Sequence, residues 1–302
     1  MASLRSLAAV ALVSMVSLTA EAGPAWTAAK ANLPKETAVL VGLDLAQLQK
    51  SSLFSFGFPM MLSQQPELKE GLELVKSTCK LDPMKIVKDI VIGADDKQKH
   101  GAIYITVDGL DQAKLVSCLE AVAAAKGKKD TKVKTDGKIT ELAVGDKSMF
   151  LTWIGTNVIV IPHELTSKAD LQAWSGAKGL AKSKVARGMG KVNTSAAVWA
   201  VSGMPKDLDD KTKMKMGYGS VTLSGGKLGA DMKVQLASAD AAKAAAEKAQ
   251  KELTTLAASD GLDAGLKAVL TAVTVKATGD ELHVRGSMPE SDVLQLVGAL
   301  MR

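Results

Sequence analysis

The chain has 302 residues, 47 % of them apolar and 23 % charged, with a net charge of +6. That composition belongs to a globular protein and excludes a disordered or collagen-like chain. Aromatic residues make up only 3 %, too few for the stacking platforms that hold single-stranded nucleic acid, so nucleic acid is not an expected partner.

The N-terminus is organised before any fold begins. Arg5 is a positive start, residues 6–19 form an uncharged apolar middle, and Ala20-Glu21-Ala22 is a small-x-small step ahead of Gly23-Pro24. These are the parts of a secretory signal peptide over residues 1–22. The apolar stretch is shorter than the roughly 20 residues that span a bilayer comfortably. No later stretch has the length and apolarity of a stop-transfer segment, and the residue directly after the cleavage site is Gly23, not a Cys. The expectation is an exported, soluble chain, periplasmic or secreted, with no lipid anchor and no transmembrane segment after cleavage.

Residues 23–34 read as a short lead-in. Residues 36–44 (ETAVLVGLD) have the apolar, β-branched centre of a buried strand, and 45–52 make one or two helical turns. Residues 53–62 (LFSFGFPMML) are the most apolar and aromatic segment. Gly57 and Pro59 make it a poor continuous helix. Folded inward, it is a crossover covering the first sheet; exposed, its Phe54, Phe56, Phe58, Met60 and Met61 form a contact for an apolar ligand, a lipid or a partner. The inward reading is favoured. Pro66 then opens a helix to about Thr78, with Glu67 and Glu70 near its N-terminal dipole.

Strands follow over 86–93 and 101–107 around a turn at 95–98, and a helix capped by Asp108 or Asp111 runs to about Ala125. Hairpins are predicted over 132–144 and over 148–161, and a helix opened by Thr166 or Ser167 runs through Trp174. Residues 175–193 are rich in Gly and Lys and mark a linker between domains. The second half repeats the order: a strand over 195–201, a polar helix over 205–215, strands over 217–223 and 228–236 across Ser224-Gly225-Gly226, a helix capped by Ser238 over 239–257, a short helix over 262–271, a hairpin over 273–287 and a closing helix over 291–301. The expected fold is α+β: two ferredoxin-like (split βαβ) related units, 23–178 and 190–302, each an antiparallel sheet with helices on one face.

Cys79 ends the apolar stripe Leu68, Leu72, Val75, and Cys118 lies on the stripe Leu115, Leu119, Val122. Two inward-facing thiols on neighbouring helices, in a compartment where disulfides persist, predict a Cys79–Cys118 bond. The basic run Lys178, Lys182, Lys184, Arg187 and Lys191 is a candidate contact for an anionic envelope component, although its glycines favour a solvated linker. His100, His163 and His283 share no zinc-ligand spacing, and Asp207, Asp209 and Asp210 lack the remaining donors of a calcium loop. There is no HExxH, GxSxG or phosphate loop. No catalytic residue, cofactor or metal site is predicted.

Cys79-Lys80-Leu81-Asp82-Pro83-Met84, with Asp89-Ile90-Val91-Ile92 beyond it and a second Cys in Leu115-Val116-Ser117-Cys118-Leu119, resembles a pattern in exported proteins of unknown function from myxobacteria and their relatives. The resemblance covers residues 36–163. It implies a Gram-negative envelope location and a paired-cysteine framework, and brings no activity. The functional expectation is a non-catalytic binding or envelope-structural protein. The alternatives are a carrier of an apolar ligand or lipid using 53–62, and a hydrolase whose carboxylates converge only in the fold.

Overall fold

A computed structural model describes residues 22–128, 130–145, 147–163, 167–203, 214–259, 262 and 264–294. The signal-peptide reading over 1–21, the Asp207–Asp210 cluster, most of the 205–215 helix and the end of the closing helix lie outside them.

The alternating β-branched runs all join one sheet. Its strands are β1 (Val39–Asp44), β2 (Val87–Ala94), β3 (Gly101–Val107), β4 (Thr131–Asp136), β5 (Ile139–Val144), β6 (Lys147–Ile154), β7 (Val158–His163), β8 (Val198–Gly203), β9 (Met214–Ser224), β10 (Lys227–Leu236), β11 (Val273–Thr278) and β12 (Glu281–Pro289). They lie in the order β11-β12-β10-β9-β8-β1-β2-β3-β7-β6-β5-β4. The two halves therefore form one continuous surface, joined where β1 pairs with β8 through Leu40↔Val201 and Gly42↔Trp199.

Outward from that seam both halves run alike. Two meander strands (β2–β3, β9–β10) are followed by a returning hairpin whose second strand docks first: β7 then β6 on one side, β12 then β11 on the other. The mixed α and β character and the antiparallel sheet agree with expectation. The ferredoxin-like arrangement is not confirmed. A split βαβ unit contains a parallel pair, and every ladder among the described residues is antiparallel.

The helices are α1 (Pro24–Asn32), α2 (Leu45–Leu48), α3 (Ser52–Gln64), α4 (Pro66–Cys79), α5 (Pro83–Ile86), α6 (Gln112–Ala125), α7 (Lys168–Ser175), α8 (Ala186–Met189), α9 (Ala239–Ala257) and α10 (Ala264–Ala272). Side-chain oxygens of Ser51, Asp111, Ser167 and Ser238 cap α3, α6, α7 and α9. Helices cover both faces of the sheet, not one. On the first face, α1, α7 and α8 bury Leu40, Val91, Tyr104, Val160, Trp199 and Val201. On the other, Leu115 and Leu119 of α6 pack over Leu151, Trp153 and Ile159.

Three expectations change here. The lead-in is α1, whose Ala25 and Ala29 are fully buried and whose Trp26 packs edge-on against Trp199 at 4.8 Å. The linker over 175–193 is part of the same core: Leu180 and Val185 are buried, because the backbone folds in short turns that aim each of them at the sheet. And residues 53–62 form a continuous helix, α3, through Gly57 and Pro59.

The paired cysteines behave as predicted. α4 packs against α6 and brings Cys79 and Cys118 to disulfide distance, with Cα atoms 5.1 Å apart. Replacing both by Ser is expected to lower unfolding stability by about 3–4 kcal/mol, from the entropy of the opened loop, in urea titrations. Two glycines should respond with opposite sign. A Cβ on Gly42 would lie 2.1 Å from the Trp199 ring, whereas one on Gly57 meets nothing within 4 Å. Gly42→Ala should cost about 1–3 kcal/mol by overpacking. Gly57→Ala should stabilise by about 0.5–1 kcal/mol, since Ala loses less backbone entropy in a helix.

Candidate functional site

α3 carries no charged residue over Ser52–Gln64, and none of its residues is buried. Phe56 is 48 % and Met61 39 % exposed, while Phe54 and Phe58 stack on each other one turn apart with centroids at 4.9 Å. Leu53, Phe58 and Met60 are half-buried. None of the helix's side chains joins the two apolar clusters of the core. An isolated helix of this length is marginal in water and depends on tertiary contacts; here they come at its ends. Its C-terminal end adjoins α4 across Gln65. Its first turn is held by the second half of the chain: the Glu290 carboxylate accepts hydrogen bonds from the Ser52 backbone N–H at 2.7 Å and the Ser52 hydroxyl at 2.5 Å. Glu290 is only 6 % exposed. The Ser52 hydrogen bonds hold its carboxyl below the usual range, and the N-terminal helix dipole favours the same charge. The sequence-predicted contact residues Phe54, Phe56, Phe58, Met60 and Met61 are therefore gathered on one tethered helix and remain accessible.

The sheet offers a second apolar surface. On the face away from α1, the register aligns Ile103, Ile92, Val41, Ala200, Gly219, Met232, Val284 and Val275 into a row crossing eight strands. At the α9 end this row is covered: Val275 is buried, and its backbone N–H, on the edge strand β11, donates to Gln250 Oε1 at 2.8 Å. In the middle, Ile92 is 37 % and Met232 55 % exposed. Beside α9 lies an open groove of about 920 Å³, with Ala246, Val275 and Ala277 inside and Lys243, Glu247 and Lys251 around it. Its size suits a small ligand. Sequence reasoning did not find it; the Ala stripe of α9 was a visible signal, but the strand beneath it was not.

The basic run is dispersed. Lys178, Lys182, Lys184, Arg187 and Lys191 are all exposed, but they sit on separate short turns and share no helical face. Two are already neutralised: Lys184 pairs with Asp96 at 2.8 Å, and Lys191 pairs with Glu281. Glu281 is the centre of the densest polar cluster, accepting from Tyr218 Oη at 2.6 Å and lying 3.3 Å from His283 Nε2. Burial pushes the Glu281 carboxyl up, but hydrogen bonds from Lys191, Tyr218 and His283 outweigh it and hold it at about 2. Burial and the same carboxylate raise the Tyr218 phenol. A carboxylate this strongly ionised, with Lys191, Tyr218 and His283 gathered on it, is an ion-pair centre and a poor general base. His100 pairs with Asp95 at 3.0 Å, and His163 ends β7, apart from both.

No protein-family model matches this chain, and no curated protein matches it. Among solved structures it is similar to TP0453. Crystal form III of that protein superposes with a TM-score of 0.50 at 8 % identity, over 90 % of this chain and 97 % of the other. Crystal form I gives 0.45 at 6 % identity, over 90 % and 96 %. At such identity the likeness is one of fold alone.

The Glu281 cluster predicts an acid response. Because the folded carboxyl titrates below its unfolded value, the stability it contributes is complete above about pH 4.5 and is lost as pH falls toward about 2. Thermal unfolding of Glu281→Gln should be less stable than the parent at pH 6, and the gap should close on acidification. A gap that widens in acid would contradict the assignment.

Proposed function

We propose that this chain is an exported, non-catalytic binding protein of the bacterial envelope, and that it holds an apolar ligand of acyl-chain character through α3. One observation carries the reading: thirteen uncharged residues form a helix in which nothing is buried. A chain that leaves Phe56 and Met61 about half in water forgoes part of the roughly 1.5–3 kcal/mol that full burial of each such side chain supplies. Such a patch marks a surface that is covered in use. The open middle of the sheet row, at Ile92 and Met232, adds apolar area of the same kind. Export rests on the signal-peptide pattern and is supported by the paired cysteines; among the described residues no helix is long and apolar enough to cross a membrane. The matching strand order on either side of the β1–β8 seam supports a second reading, that the halves arose by duplication of one unit.

Native mass spectrometry and solvent extraction of the purified protein should yield a bound acyl-chain species. The double variant Phe56→Asp/Met61→Asp should keep its unfolding midpoint, because exposed positions shift stability by only about 0.5 kcal/mol, yet lose the bound species and binding to a fluorescent fatty-acid probe. Full binding by that variant would refute α3 as the contact. Glu290→Gln should leave binding in place while raising amide exchange in the first turn of α3, since the charged acceptor for the Ser52 N–H is gone.

A further inference from the structure

α1 begins at the position where the signal pattern predicts cleavage, and its first turn is capped from a distance. Gly23, its N-cap residue, has no side chain to offer, and Pro24 has no N–H. The cap is Asp89 of β2, whose Oδ1 accepts the Ala25 N–H at 3.0 Å. Gly23 lies directly on that carboxylate: a Cβ there would fall 2.4 Å from the Asp89 carboxyl carbon and within 2.6 Å of both oxygens. Adding the separation of N and Cβ across one Cα puts the Gly23 nitrogen within roughly 5 Å of the carboxyl.

The surroundings lack a cation. Asp89 is 8 % exposed, and a cavity of about 20 Å³ beside it is lined by Gly23, Asp44, Asp89, Trp26 and Trp199 among others, and by Ala22, the residue that cleavage would remove, with no Lys, Arg or His in the lining. That volume admits one water or one ammonium group. Neither Asp44 nor Asp89 has a basic side chain within ion-pair distance among the described residues. The nearest basic side chain in sequence, Lys88, is directed to Asp108 and the Lys85 carbonyl. Asp44 is occupied in capping α2 and binding Gln47. Burial raises the Asp89 carboxyl, and Asp44 adds to the rise. Two carboxylates therefore flank the place that removal of Ala22 would open beside Gly23.

We infer that cleavage after Ala22 creates the missing cation: the new α-ammonium of Gly23 pairs with Asp89 and locks α1 onto the seam of the sheet. In the precursor the same nitrogen is a neutral peptide group, and among the described residues the carboxylate is met by the Ala25 N–H, with the Thr106 hydroxyl beside it, without a cation. Signal removal is then also a folding step, because α1 carries Trp26 against Trp199 at the junction of the two halves. Only glycine at this position permits the approach. The inference rests on the cleavage reading above.

The test uses the full mature chain beginning at Gly23, with its amine free or acetylated, in the parent and in Asp89→Asn. Acetylation should lower the melting temperature of the parent by roughly 3–6 °C and change that of Asp89→Asn by under about 1 °C. The free amine, followed by NMR, should titrate above its ordinary range of about 7.7–8.0. Equal effects of acetylation in both backgrounds, or an amine that titrates normally, would overturn the pairing. Should Asp89→Asn not fold, the amine titration in the parent decides alone. The mass of the exported protein separately tests the cleavage site: a start other than Gly23 sinks that reading, and the processing role with it, whatever the acetylation data give.

Discussion

Trp199 lying across Gly42 is the contact on which the rest of the structure depends. It sits at the one pairing, β1 with β8, that makes two half-sheets into one. A side chain on Gly42 would occupy the space of the indole, so the absence of a Cβ there is what lets the ring lie flat on the seam. Trp26 then meets the ring edge-on, and α1 follows it into the core. From this centre outward each strand adds to its neighbour by local pairing, and the likeness of the two halves follows from the same starting strand, meander and returning hairpin.

The two faces of the sheet are finished to different degrees. The face under α1, α7 and α8 is closed, with Tyr104 buried and its hydroxyl donating to the Trp174 carbonyl at 2.6 Å. Among the described residues the opposite face is covered at its ends by α6 and α9, and Ile92 and Met232 stand exposed between them. α3 belongs to this unfinished side of the energetics: it is made of core residues and is held by caps and tethers in place of burial. That Glu290 of the second half fixes the first turn of a helix from the first half ties this surface to the joined fold, not to either half alone.

Much of this was legible in order along the chain. The hairpin at Ser224-Gly225-Gly226, the cap at Ser238, the cap at Asp111 (one of the two candidates beside Asp108) and the stripes holding Cys79 and Cys118 are local patterns with local causes, and the structure has them at those places. The misreadings share a reason. α1 is a short Ala-rich segment without a side-chain cap, and its helix is secured by Asp89, distant in sequence. Residues 175–193 have the glycines and lysines of a linker, yet Leu180 and Val185 find a core that only the assembled sheet provides. In α3 the cap at Ser51 and the Leu and Met residues carry the helix through Gly57 and Pro59, and the inward packing that apolar content suggests does not follow.

The sequence by itself determined most of the strands and the capped helices, which cysteines meet and which residues form the apolar candidate, because alternation, capping and stripes act over a few residues. Only the tertiary structure decided that the halves share one sheet, that helices cover both of its faces, and that α3 stays exposed while the lead-in is buried. Those outcomes depend on which surfaces cover which, and burial is a property of the neighbour as much as of the residue.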